Sequence, residues 1–200
     1  MSTATVTSAR PGQVLADLVP ASRVRDAALV LGGAALTGLA AQIAVPVPGS
    51  PVPVTGQTFA ALLVGTTLGA RRGFASLAVY ALVGMAGVPW FAEGKSGMSM
   101  PSFGYILGML LASVVVGALA RRGADRSAWR MAGTMLLGSA IIYAVGVPYL
   151  ALATGMSASA AIAAGLTPFL IGGRRGQQQQ RRGWRRSAAR PLPKPAARSR

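Results

Sequence analysis

The chain has 200 residues, of which 52% are apolar and only 12% are charged, about half the charged fraction of a typical soluble domain. Cysteine and histidine are absent and only four carboxylates occur, which excludes disulfides, thiol or imidazole catalysis, and zinc or haem ligation. The net charge of +16 is unevenly placed, because residues 173–200 hold ten basic residues and no acid, whereas residues 1–172 hold ten basic and four acidic residues.

Long stretches without any charge dominate the first 172 residues. A helix that crosses a membrane needs about 20 mostly apolar residues, and soluble proteins do not repeat such stretches. Four of them occur here: 27–70, 73–92, 96–120 and 131–173. The pattern predicts an all-α membrane protein, built as a multi-helix transmembrane bundle.

Prolines, glycines and arginines divide these stretches into helices. The predicted helices span 27–45, 55–70, 74–90, 102–120 and 129–153, and 157–172 is expected to hold a connection and the start of a sixth helix. The stretch 46–53 cannot form a regular helix, because its four prolines lack amide donors. Arg71, Arg72 and Gly73 are expected to form the turn between the second and third helices, and Pro148 to kink the fifth.

Basic residues predict the orientation of the bundle. With alternating spans, nine arginines fall on one side of the membrane and only Lys95 falls on the other: Arg10, Arg23, Arg25, Arg71, Arg72, Arg121, Arg122, Arg126 and Arg130. Basic loops stay in the cytoplasm. We therefore expect a multi-pass protein of the cell membrane with a cytoplasmic amino terminus.

Small residues recur four apart along the first helix, at Ala28 and Gly32 and at Ala34 and Gly38. Such spacing lets helix backbones approach closely within lipid. One interpretation is packing inside the bundle. The other is a docking face for a second membrane subunit.

Polar and aromatic side chains collect on the predicted outer side. A small-molecule pocket combines mostly apolar walls with a few orienting polar groups. The candidate ligand-binding residues are Thr55, Gln57, Tyr80, Trp90, Lys95, Ser96 and Tyr105. They suit a small, largely apolar anion whose carboxylate would meet Lys95; alternatively, Glu93 and Lys95 are solvated loop charges. No phosphate-binding loop or ATPase signature occurs, so we expect no enzyme, metal site or cofactor.

Four segments carry a resemblance to a known family. The segments are 51–59 (PVPVTGQTF), 80–91 (YALVGMAGVPWF), 104–108 (GYILG) and 143–150 (YAVGVPYL). Their order and spacing are similar to those of the BioY family, the biotin-binding S components of energy-coupling-factor transporters. The resemblance implies a six-helix membrane subunit that captures biotin from outside and works with a transmembrane T component and two ABC-type ATPases. The small residues of the first helix would then meet the T component.

Two other functions stay open at this stage. The chain could be an S component for a different vitamin, or a membrane interaction protein without a ligand. The proline-rich loop with Gln57 and Tyr80 favours a ligand, because plain bundle packing does not require these residues.

The resemblance ends after Gly172. In the family, an Asp and a Lys that help to bind biotin open the sixth helix, but Gly173 and Gly176 stand in their places. We therefore divide the chain into a cytoplasmic segment (1–26), a transmembrane binding domain (27–172) and a basic tail (173–200) predicted to be disordered. The tail is either a basic arm for nucleic acid or anionic lipid, or an out-of-frame translation of the missing helix. The frameshift is favoured, so no nucleic-acid partner is expected.

Overall fold

Helices make up most of the part of the chain that the computed structural model describes, namely residues 14–18, 22–47, 50–124 and 127–165. The elements are α1 (Arg23–Gln42), β1 (Ala44–Val45), β2 (Val54–Thr55), α2 (Gln57–Met85), α3 (Phe103–Arg121), α4 (Ala128–Thr154) and α5 (Ala158–Gly165). Short 3-10 turns occupy Leu15–Leu18 and Ala92–Gly94. Among the described helices, α1, α3 and α4 are long and apolar enough to cross a membrane. The predicted all-α membrane class is confirmed.

The second and third predicted helices meet at Gly69 and not at the expected turn of Arg71, Arg72 and Gly73. Gly69 has φ 80° and ψ 171°, a backbone conformation that side-chain-bearing residues rarely adopt, so α2 folds into two arms there. We call residues 57–68 the first arm and 70–85 the second arm. A methyl group added to Gly73 would stand 2.9 Å from the Cα atom of Gly65, which shows how closely the arms approach.

Two predicted helix ends are also corrected. Helix α1 ends at Gln42 and not at Val45, because Ala44 and Val45 pair antiparallel with Thr55 and Val54. The second arm of α2 ends at Met85 and not at Trp90, since Gly87 leaves the helix with φ 105°. Helices α3 and α4 match the predicted spans to within one residue.

Helices that follow one another in the chain pack side by side: α1 on α2, α2 on α3, α3 on α4, and α4 on α5. Helix α4 turns one narrow face to this bundle. Its buried residues recur every four positions: Thr134, Gly138, Ile142, Gly146 and Leu150. The other faces of α4 expose large side chains such as Leu136 and Leu152.

Ion pairs join four elements at one end of the bundle: the 3-10 turn of residues 15–18, α1, α2 and α3. Asp17 lies 2.7 Å from Arg72 and 3.5 Å from Arg121, while Asp26 lies 2.8 Å from Arg25 and 3.2 Å from Arg72. We call these five residues the arginine cluster. They gather near the break in α2, the start of α1 and the end of α3. The cytoplasmic assignment of this end stays a prediction.

Asp17 is the centre of the arginine cluster. Burial raises the pKa of its carboxyl group, but hydrogen bonds from Arg72 and from the Val14 amide, with the positive charge of Arg121, lower it more. The resulting pKa lies below the ordinary value. The carboxylate is therefore stabilised in its charged form.

Candidate ligand-binding site

A small cavity lies at the end of the bundle opposite the arginine cluster, where α2 and α3 begin. Its volume is about 30 Å³. The lining residues are Val52, Pro53, Thr55, Gln57, Thr58, Phe91, Ala92, Met100, Ser102, Tyr105, Ile106 and Met109. The walls are mostly apolar, with a few hydroxyl groups and one carboxamide, which is the composition of a small-molecule site.

Gln57, the first residue of α2, supplies that carboxamide. Its side chain is buried with 4% of its surface exposed, and its Nε2 atom lies 3.4 Å from the sulfur of Met109. A thioether is a weak acceptor, so this contact satisfies the amide poorly. A buried amide without a strong partner favours any ligand that offers one.

The proline-rich loop forms one wall of the cavity. Ser50 accepts a hydrogen bond from the Val52 amide at 3.1 Å and donates one to the Val52 carbonyl at 2.9 Å, which fixes the loop beside the cavity. The β1–β2 ladder then aligns Thr55, and the Gly56 amide donates to Ile43 at 3.0 Å. The prolines prevent a helix, and the short ladder holds the chain that they leave extended.

An aromatic cluster supports the opposite wall. The Tyr80 ring centroid lies 5.1 Å from that of Trp90 and 5.2 Å from that of Phe91, and Phe91 is fully buried. The Trp90 indole donates to the Tyr80 carbonyl at 3.0 Å. From α1, the Gln42 amide donates to the Trp90 carbonyl at 3.0 Å and anchors this loop to the bundle.

Tyr105, in the first turn of α3, links the cavity to the end of the described chain. Its hydroxyl donates a hydrogen bond to the Gly165 carbonyl of α5 at 3.0 Å. Its ring meets Tyr143 of α4 edge-on, with centroids 6.2 Å apart. Tyr105, which lines the cavity, is thereby held by both α4 and α5.

The structure brings some of the predicted site residues together and separates others. Thr55, Gln57 and Tyr105 all line the cavity. Tyr80 and Trp90 lie behind the wall formed by Phe91. Lys95 and Ser96 are exposed outside the cavity; the Lys95 ammonium pairs with Glu93 at 2.6 Å, with half of its side chain in solvent.

The four small residues of α1 divide between two faces. Ala34 and Gly38 are buried in the bundle, and Gly38 lies against the Trp90 ring. Ala28 and Gly32 are exposed, with no atom of another element near Gly32. Internal packing therefore accounts for the first pair, and the second pair is accessible to another subunit.

Several residues that shape the cavity were not singled out from the sequence. Val52, Ile106, Met100 and Met109 are apolar residues in a chain full of them, so no local signal marked them. Gln42 could have been singled out from the sequence, because it is the only polar side chain in the last turn of the first predicted membrane helix.

The cavity-forming residues lie within the part of the chain that matches a family model. That model, for the BioY family, matches residues 10–174. The chain belongs to the BioY family. Three of its described helices are long and apolar enough to cross a bilayer, and this member of the BioY family is a membrane protein. Gly173 and Gly176, where the family's Asp and Lys were expected, lie outside the described residues, as does the rest of the tail.

Curated members of the BioY family are similar over much of the chain. The "Probable biotin transporter BioY" of Pyrococcus horikoshii is 34% identical over 152 residues, which are 74% of this chain and 87% of the relative. The protein of the same name from Lysinibacillus sphaericus is 40% identical over 119 residues, 58% of this chain and 60% of the relative.

A solved structure shares the fold. It is described as the "S-component for biotin from an ECF-type ABC transporter" and superposes with a TM-score of 0.67, covering 74% of this chain and 84% of that chain. The two sequences are only 19% identical in the superposition, so the similarity supports a shared arrangement of helices and nothing further.

Proposed function

We propose that this chain is the biotin-binding membrane subunit of an energy-coupling-factor transporter. The observation that carries the proposal is the position of the segment 51–59, which lies within the residues matched by the BioY family model and forms the cavity wall with Gln57. The names of the curated relatives support biotin as the ligand.

Biotin suits the chemistry of this cavity. Its fused rings need apolar and aromatic walls, which Tyr105, Ile106 and Phe91 supply. Its ureido group offers the strong hydrogen-bond partners that the Gln57 amide lacks in its contact with Met109. Thr55 adds a hydroxyl group at the same wall.

The cavity has to widen before a bicyclic acid can enter. A volume of about 30 Å³ accommodates little more than a water molecule or two. In this proposal the cavity widens at the loop after α2, which supplies the lining residues Phe91 and Ala92 and whose residues 93–96 are exposed. In this proposal Lys95 and Ser96 act from that loop, and Tyr80 and Trp90 act by supporting it.

The proposal includes the transporter's other subunits and the orientation in the membrane. Ala28 and Gly32 form the exposed small-residue face of α1 that would meet the T component, which works with two ABC-type ATPases. The arginine cluster lies on the cytoplasmic side, and the cavity opens to the outside. The chain itself couples no nucleotide hydrolysis in this scheme.

Equilibrium titration with biotin and with thiamine tests the proposal, on the purified protein whose reading frame after Gly172 has been restored. We expect biotin to bind and thiamine to bind far more weakly. Gln57→Leu keeps the side-chain size but removes the amide, so it should weaken biotin binding by about tenfold. Thr67→Val keeps the side-chain size, removes a polar group from the same arm of α2 outside the cavity, and is the matched control, so it should change affinity less. Preference for thiamine defeats the biotin assignment, and equal losses in the two variants would remove Gln57 from the site.

A further inference from the structure

A second cavity lies beside the arginine cluster, at the end of the bundle away from the ligand site. Its volume is about 330 Å³. It is lined by Asp26 and Val30 of α1, by Arg71, Arg72 and Ala75 of α2, and by Arg121 of α3. This volume lies in the range of small-molecule sites and is ample for a phosphate group with a glycerol attached.

The lining of this cavity is positively charged. Three arginines line it, and Asp26 is the single acidic residue among the lining residues. Arg72 is neutralised by Asp17 and Asp26, and Arg121 lies near Asp17. Arg71 has no carboxylate partner among the described residues. Its guanidinium is therefore available to an anion from outside the chain.

The cavity is charged at its mouth and apolar one helical turn deeper. Val30 follows Asp26 by four residues along α1, and Ala75 follows Arg71 by four residues along α2, so each lies directly beneath its charged neighbour. Leu31 and Phe74, on the same two helices, expose 60% and 46% of their surface. Apolar surface thus continues from the cavity down the outside of the bundle.

The place of this cavity in the bundle matches the surface of a membrane. It lies where α1 begins and α3 ends, and both helices are long and apolar enough to cross a bilayer. A basic pocket between membrane helices, at the level where they leave the hydrocarbon, is suited to lipid headgroups.

We propose that this cavity binds the headgroup of an anionic phospholipid, with Arg71 as the main contact to the phosphate. An arginine fork matches two phosphate oxygens at once. The apolar floor formed by Val30 and Ala75 favours a lipid over free phosphate, because an inorganic ion gains nothing from such a floor. The inference is independent of the ligand taken up at the other end.

The test measures binding of phosphatidylglycerol to the full-length chain in detergent by native mass spectrometry. We expect Arg71→Gln to weaken binding about fivefold. Arg23→Gln removes the same charge at the same end of the bundle but outside the cavity, and it should weaken binding less than twofold. Since both variants keep the basic tail, nonspecific attraction to the tail is the same in each. Equal losses in the two variants overturn the site.

Three further measurements identify the source of the phosphate and control for misfolding of the variants. Phosphatidylcholine, which carries no net charge, should bind more weakly than phosphatidylglycerol. Inorganic phosphate should not displace phosphatidylglycerol at equal concentration; displacement from the unaltered chain, absent in Arg71→Gln, indicates an ion site and overturns the lipid assignment. Arg71→Lys keeps the charge and should recover part of the affinity. A loss as large as that of Arg71→Gln would contradict a role for the charge.

Discussion

Two polar side chains of this membrane protein, Asp17 and Gln57, contribute more than packing. Asp17 is one of only four acids in the sequence, and it holds the 3-10 turn of residues 15–18 against Arg72 and Arg121. Gln57 is one of the few buried polar side chains of the bundle, and it faces the cavity. Asp17 is paired with its arginines, whereas the buried amide of Gln57 is available to a stronger partner than Met109.

The Asp17 ion pairs have a testable pH dependence. Asp17→Asn should lower the free energy of unfolding in detergent by about 1 kcal/mol at neutral pH, because the charged hydrogen bond from Arg72 is lost. The folded pKa is depressed, so this stabilisation is complete above the ordinary value of 3.8 and disappears as the pH falls below it.

Thermal unfolding of both proteins at pH 7 and near pH 3 measures this effect. The difference in melting temperature should shrink at the lower pH. Glu93→Gln breaks the exposed pair with Lys95 and serves as the control, with a smaller effect. A difference that is the same at both pH values speaks against an ionic role for Asp17.

Among the elements, α2 reaches both ends of the bundle because its chain reverses at Gly69. It contributes residues to the cavity at one end and to the arginine cluster at the other. The first arm starts at Gln57 in the cavity, and the second arm starts beside Arg71 and Arg72 at the other end. Arg121 lies close to the break: a methyl group added to Gly69 would stand 3.0 Å from the Nε atom of Arg121. The hairpin therefore links both proposed binding sites.

Gly69→Ala should destabilise the bundle by about 1–3 kcal/mol, since alanine adopts this backbone conformation only under strain. Gly133→Ala makes the same substitution in α4, where the added methyl group meets no other element. It should be neutral or stabilising, because alanine favours a helix over glycine. Chemical unfolding of the two variants in the same detergent distinguishes the effects. A loss of stability in Gly133→Ala as large as in Gly69→Ala contradicts this explanation.

The helices could be predicted from the sequence because uncharged stretches, prolines and arginines mark membrane spans directly. The turn could not, since Arg71, Arg72 and Gly73 have the composition of a turn while the backbone reverses at Gly69. The β1–β2 ladder was missed for a related reason: prolines indicate the absence of a helix but not the pairing of the strands beside them.

The candidate site was predictable where polar residues stand next to a distinctive motif. Thr55 and Gln57 follow the proline loop directly and reach the cavity. Lys95 and Ser96 do not, because their positions depend on the path of the loop after α2, which no periodic pattern specifies. Among the apolar walls, Ile106 and Met109 looked like any other membrane-helix residue.

For the whole molecule, the proposed function requires the cavity to face outward and the assembled transporter to release biotin inside the cell. The sequence-based hypothesis of a frameshift after Gly172 bears on this, because the family's sixth helix would add a carboxylate and an ammonium one turn apart. Losing such charged partners from a desolvated site commonly costs a factor of about 100 in affinity. We therefore expect weak capture by the chain as written and strong capture once the reading frame after Gly172 is restored.

Uptake of labelled biotin tests the central claim most directly. Cells that supply the T component and the two ATPases, but no S component of their own, receive either this chain or its frame-restored version. The restored protein should accumulate biotin, with unlabelled biotin but not thiamine competing, and the chain as written should accumulate little. Equal uptake by the two proteins would show that the tail after Gly172 is not a lesion. No biotin uptake by either protein, when both are present in the membrane, would contradict the assignment as a biotin-capturing subunit.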